Sequence, residues 1–136
     1  MPHAHRMTVR VRYPEVDGGG RVHHSVYLVY FEMGRTELLR ERGIAYAHME
    51  ADGRFLAISQ ADVRYCGAAG YDDELVVETW VERVRGARVV FGNRCLRADD
   101  ESVVAEATIT GALVDASGRP IRFSKDEIAR LSDAHG

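Results

Sequence analysis

An aspartate, three glycines and two histidines fall in one short run, Asp17-Gly18-Gly19-Gly20-Arg21-Val22-His23-His24. A carboxylate in such a place can take a proton from water or attack an acyl carbon itself. The residues after it, Ser25 to Arg42, read as a helix. A helix start leaves backbone N–H groups unpaired and carries partial positive charge. Those groups suit an oxyanion that develops during acyl transfer. The same aspartate is also a common turn former, since Asp-Gly loops use the side chain to hold their own backbone. The residue types leave both readings open.

The elements around this run follow from periodicity. Met7, Val9, Val11 and Tyr13 alternate with Thr8, Arg10 and Arg12, which predicts a half-buried strand from Met7 to Tyr13. Residues 1–6 read as a flexible tail. In the helix, Tyr27, Phe31, Gly34 and Leu38 form one stripe at i, i+4, i+7 and i+11. Gly34 costs roughly 1 kcal/mol against Ala in a helix, so close approach to a neighbouring sheet is its expected reason. Gly43 closes the helix, and Ala45 to Ala51 suit a further helical turn. Four strands then follow, at Phe55–Tyr65, Glu74–Val84, Arg88–Ala98 and Ser102–Asp115, with turns between them. Ser124 to Asp133 reads as a terminal helix, with Ser124 and Glu127 spaced as a capping box. The whole predicts an α+β domain spanning residues 1–136, a five-stranded antiparallel sheet with one long helix against its face. One helix leaves part of such a sheet uncovered, so a second copy is expected against it or at its edge.

The totals narrow the function. The 136 residues suit one domain, and 46% hydrophobic with 29% charged residues is ordinary for a globular chain. A net charge of −3 argues against a general nucleic-acid binder. Cys66 and Cys95 lie in strand-like stretches without metal or redox spacing, which fits reduced thiols in a cytoplasmic protein. No uninterrupted apolar run is long enough to cross a bilayer. His3, His5, His48 and His135 are scattered and read as surface residues, so no metal site and no cofactor is expected.

The pattern Tyr13, Glu15, Asp17, Gly20, Val22, His24 and Tyr27 resembles that of hotdog-fold acyl-CoA thioesterases, in the branch of 4-hydroxybenzoyl-CoA thioesterase and YbgC-type enzymes. Tyr30-Phe31-Glu32-Met33-Gly34-Arg35 and the segment from Val63 to Leu75 extend the likeness over nearly the whole chain. The resemblance departs at Gly67-Ala68-Ala69, where the family has a Pro-Ala turn, and at Arg21, where it is apolar. Arg21 then faces either an acyl pocket or solvent.

The resemblance implies hydrolysis of an acyl-CoA or acyl-carrier-protein thioester, with Asp17 as nucleophile or general base. It implies that the backbone N–H at His24 polarises the thioester carbonyl. Gly20, Val22, His23, Tyr27 and Phe31 are candidates to line the substrate, with Tyr27 and Phe31 equally suited to the core. Arg83, Arg85 and Arg88 surround a hairpin tip and are weaker candidates for CoA phosphates. A homodimer or dimer-of-dimers tetramer is implied as well. Two alternatives are a non-enzymatic acyl-binding module and an enoyl-CoA hydratase or dehydratase, although the Asn-Pro of the latter is missing after Asp17.

Overall fold

The structure, a computed structural model, describes residues 3–132. Along the chain come β1 (His5–Arg10), a single 3₁₀ turn (Tyr13–Glu15), α1 (Val26–Glu41), α2 (Tyr46–Ala51), β2 (Phe55–Tyr65), β3 (Glu74–Arg85), β4 (Arg88–Arg97), β5 (Val103–Val114) and α3 (Lys125–Leu131). The five strands form one antiparallel sheet in the order β1-β3-β4-β5-β2. β3, β4 and β5 form a meander, and Gly86 turns the first of its hairpins at a φ of 62° that glycine adopts freely. The expected five-stranded sheet with one long helix is thus present.

α1 buries the stripe that its periodicity requires: Tyr27, Tyr30, Phe31, Gly34 and Leu38. Tyr27, Tyr30 and Phe31 meet Leu75 and Val77 of β3, Cys95 of β4 and Ala105 and Ile109 of β5 in one apolar cluster. Each large side chain there contributes roughly 1.5–3 kcal/mol by leaving water. Gly34 is where helix and sheet come closest. A Cβ at that position would stand 2.3 Å from Thr79 Oγ1 and 3.2 Å from Val77 Cγ1. A second cluster, with Leu38, Leu39, Met49, Phe91, Leu113, Phe123 and Leu131, lies under α2 and α3. The capping box of α3 forms as spaced, with the Glu127 N–H donating to Ser124 Oγ at 3.0 Å and the Ser124 N–H to Glu127 Oε1 at 2.9 Å.

Most expected bounds hold to within two residues, and the largest departure is at β1. β1 starts at His5 and ends at Arg10, so it enters the segment read as a tail. His5 pairs with Thr79 and Arg6 with Glu78, and the buried Glu78 carboxylate receives the guanidinium groups of both Arg6 and Arg94. That anchor lies 72 residues away in sequence, which is why local pattern missed it. His5 is correspondingly half-buried rather than a surface residue. Met1, Pro2 and residues 133–136, among them His135, lie outside the described residues.

α1 covers β1, β3 and β4. The side of the sheet formed by β2 is left open: none of its eleven residues from Phe55 to Tyr65 is buried and eight are exposed, Ile58 at 43% and Tyr65 at 46%. β2 pairs with β5 along one edge and, among the described residues, with no strand along the other. Among the described residues no helix is long and apolar enough to cross a membrane.

Candidate active site

The loop from Val16 to Val22 is closed by its own backbone. Val16 and Val22 form a β-bridge, the Asp17 N–H donates to the Arg21 carbonyl at 2.7 Å, and the Gly20 N–H donates to the Asp17 carbonyl at 3.0 Å. Gly20 holds φ at +78°, a left-handed conformation that a side chain would strain. The Val22 N–H donates to the Ala69 carbonyl at 2.9 Å, and Arg21 bridges Gly70, which fastens the loop to the segment before β3. The Gly67-Ala68-Ala69 segment, where the family has a Pro-Ala turn, is itself held. Arg97 donates to the Ala68 carbonyl and pairs with Asp73, and Asp73 accepts the Gly70 N–H.

Within this loop the two oxygens of Asp17 are used differently. Oδ1 accepts the Gly19 N–H at 2.8 Å and the Arg21 N–H at 3.2 Å. Oδ2 has no hydrogen-bond partner among the described residues. Asp17 is solvent-exposed. The Arg21 and Gly19 N–H groups hold its carboxyl below the usual carboxylate range, with smaller help from His23 and Arg21 charge. The turn role and the chemical role are therefore compatible in one residue.

The helix begins two residues after His24. Ser25 is the N-cap position and Val26 the first helical residue. The Val26 N–H donates to the His23 carbonyl, and the His24 N–H has no acceptor among the described residues. The rings of His23 and His24 stack with centroids 4.2 Å apart, and His23 Nδ1 lies 2.8 Å from Ser25 Oγ. Val22, Tyr27 and Phe31 are buried in the core at 6%, 3% and 0% exposure. Burial pushes the Tyr27 hydroxyl up to about 12.

Two further residues hold the site: Tyr65, of which local sequence carries little sign, and Glu15, the acid of the Tyr13-to-Tyr27 pattern. The Tyr65 hydroxyl, at the end of β2, donates to the His24 carbonyl at 2.9 Å, and its ring meets those of His24 and Tyr27. The buried Glu15 accepts the Arg12 N–H at 2.7 Å, the Arg12 guanidinium at 3.0 Å and the Tyr30 hydroxyl at 2.9 Å. Its own carbonyl accepts the His23 N–H at 2.9 Å. Glu15 thus ties the start of the Asp17 loop both to α1 and to the histidine pair.

Burial raises the Glu15 carboxyl, but the Arg12 N–H and guanidinium and the Tyr30 hydroxyl outweigh it, and the net direction is down. A carboxyl lowered on folding contributes stability above its ordinary range and loses it as pH falls through the lowered value. Glu15→Ala is expected to cost about 2 kcal/mol in urea denaturation at neutral pH, because a buried Tyr30 hydroxyl loses its acceptor. The gap between wild type and Glu15→Gln should narrow as pH drops below about 4.

Arg21 is exposed. Arg83, Arg85 and Arg88 sit at the β3–β4 hairpin tip, whereas the Asp17 loop attaches before the first residue of β3, so one chain does not bring them together. Glu32 and Arg35 form no ion pair within contact distance; Arg35 lies over the Phe91 ring, 6.0 Å from its centroid. No cluster of three metal-ligating side chains occurs among the described residues.

A strand, a tight acid-bearing loop and a long helix across a five-stranded antiparallel sheet define a hotdog-type thioesterase domain. Residues 11–133 match the model of the thioesterase-like superfamily, and the chain belongs to that family. Among curated relatives it is similar to the acyl-CoA thioesterase YbgC of Haemophilus influenzae, 37% identical over 87% of each chain. It is also similar to the acyl-CoA thioester hydrolase YbgC of Escherichia coli, 32% identical over 81% of each. Among solved structures, the 1,4-dihydroxy-2-naphthoyl-CoA thioesterase Slr0204 of Synechocystis superimposes with a TM-score of 0.90, covering 98% of this chain and 99% of that one. At 14% identity that likeness speaks for the fold.

Proposed function

We propose that the protein hydrolyses acyl-CoA thioesters to a free acid and a thiol, with Asp17 as its reactive carboxylate. The observation that carries this is the division of labour at Asp17: Oδ1 secures the loop while Oδ2 is left open, in the segment that leads into a helix start whose His24 N–H is unbonded among the described residues. In one course Oδ2 takes a proton from a water molecule as the water oxygen attacks the thioester carbon. In the other, Oδ2 attacks and forms a mixed anhydride that water then opens. Both pass through a tetrahedral oxyanion, for which the His24 N–H and the positive end of α1 are suited donors. The C–S bond then breaks and the leaving thiolate takes a proton, the one Asp17 took from water in the first course or one from solvent in the second, to leave as the coenzyme thiol.

The test is thiol release from a panel of acyl-CoAs, aromatic and aliphatic. Turnover of none of them would end the proposal. Label found in Asp17 after a single turnover in ¹⁸O-water identifies the anhydride course, with water opening the anhydride at the Asp17 carboxyl carbon.

The acyl group is placed between α1 and the uncovered side of the sheet, along Val63 and Tyr65. A second copy is proposed to complete that trough by pairing its β2 with the open β2 edge. A long strand with unpaired backbone groups is a template for such pairing. Two such dimers would make the tetramer implied by the resemblance. Ile58→Asp is expected to give a folded monomer by sedimentation, since Ile58 is already 43% exposed within one chain. An unchanged oligomer would exclude this edge. Two free thiols, Cys66 and Cys95, are consistent with a cytoplasmic setting.

A further inference from the structure

An acyl-CoA has two ends, and the site above receives one of them. On the other side of the Asp17 loop stand two tyrosines, the most exposed of the large side chains with apolar surface: Tyr13 at 74% and Tyr71 at 59%. Their rings touch edge to face, with centroids 5.5 Å apart and planes at 87°. Each is carried by one attachment of the loop. Tyr13 opens the 3₁₀ turn that leads into Asp17, and Tyr71 follows Gly70, whose backbone bridges Arg21. The pair lies toward β1 and β3, because the Val11 N–H donates to the Asp73 carbonyl at 2.9 Å and the Asp72 N–H to the Val11 carbonyl at 3.0 Å. Tyr65 and the acyl trough lie toward β2, at the opposite edge of the sheet.

Two arginines neighbour the tyrosines along the backbone: Arg12 precedes Tyr13, and Arg21 bridges Gly70, the residue before Tyr71. Arg12 is 74% exposed and commits one nitrogen to Glu15, which leaves further N–H donors free. The exposed Arg21 side chain has no acceptor among the described residues. Arg10, by contrast, is occupied by the Asp72 carbonyl and Glu74. Exposed aromatic faces stack on nucleobases without needing a sequence of donors, and guanidinium groups match phosphate oxygens.

We propose that Tyr13, Tyr71, Arg12 and Arg21 form the subsite for the nucleotide of the coenzyme, with adenine on an exposed tyrosine face and its phosphates on the two arginines. This rests on the acyl-CoA reading for its substrate. It places the acyl and nucleotide ends of one substrate on opposite sides of Asp17. Binding at a remote, unreacting part of a substrate is expected to appear mainly in KM unless it is used to position the thioester.

The test compares an acyl-CoA with the matching acyl-pantetheine, which lacks the nucleotide, in wild type and in the Tyr13→Ser/Tyr71→Ser double variant. Wild type is expected to favour the CoA ester at least tenfold in kcat/KM, mostly through KM. The double variant should lose most of that margin and hydrolyse acyl-pantetheine as wild type does. An unchanged margin, or an equal loss on both substrates, overturns the subsite.

Calorimetric titration with adenosine 3′,5′-bisphosphate needs no turnover. Binding that weakens at least tenfold in the double variant, in a protein that cleaves no thioester, keeps the subsite and removes the proposed reaction. Undetectable binding to wild type overturns the subsite. So does a carrier-protein thioester whose hydrolysis depends on the two tyrosines while the bisphosphate fails to compete.

Discussion

Asp17→Asn is expected to slow thioester hydrolysis at least ~100-fold, within the range that a positioned acid or base supplies, while the melting temperature stays close to that of wild type. The substitution is informative because asparagine keeps an oxygen where Oδ1 stands. That oxygen can still accept the Gly19 and Arg21 N–H groups that close the loop. What it replaces is Oδ2, the oxygen left open, with an amide nitrogen that neither attacks nor takes a proton. Asp17→Ala removes both and should disturb the loop as well. A rate for Asp17→Asn equal to wild type would remove the residue from the chemistry. The pH profile offers a second check. Since backbone N–H groups hold the Asp17 carboxyl low, the reactive carboxylate persists into acid. The acid limb of the wild-type rate is therefore expected below the ordinary carboxylate range of about 4, provided the fold survives there.

Gly34→Leu is expected to be among the most damaging single substitutions to the fold, and Gly34→Ala to cost about 1–2 kcal/mol in urea denaturation. Two effects compete in the alanine variant. Alanine gains roughly 1 kcal/mol of helix propensity over glycine. Against that, its Cβ would sit 2.3 Å from Thr79 Oγ1, on a central strand where Thr79 is fully buried. Neither side chain nor strand can retreat without moving the packed core, so the clash wins. Thr79→Ala removes the offending hydroxyl, which has no hydrogen-bond partner of its own. The double variant should therefore be markedly more stable than the sum of the two single losses, a coupling expected of residues in contact. Strict additivity would place the closest approach elsewhere.

The helix stripe, Gly34 and the Ser124–Glu127 cap were legible because each is a local pattern with one physical solution. A period of 3.6 calls for a buried face, and a glycine inside that face calls for a close neighbour. The strand ends were less so. His5 and Arg6 carry no strong apolar signal, and it is their pairing with Thr79 and Glu78 that recruits them into β1. At the site, Asp17 and the glycine loop could be read from a single segment. Tyr65 could not, since its partner His24 lies 41 residues away. Nor could the separation of the Arg83–Arg88 tip from the Asp17 loop, which depends on which end of the sheet each occupies.

The tether from Tyr65 to the His24 carbonyl belongs to the strand that also presents the open edge. One hydroxyl thus joins the subunit contact proposed for β2 to the backbone that would polarise the substrate. Equilibria that share a structural element are reciprocal: if self-association tightens ligand binding by some factor, ligand must tighten self-association by the same factor. Dilution would then act on the enzyme like a weak antagonist, and substrate would act like added protein. Tyr65→Phe is the change that should uncouple the two while leaving both surfaces in place.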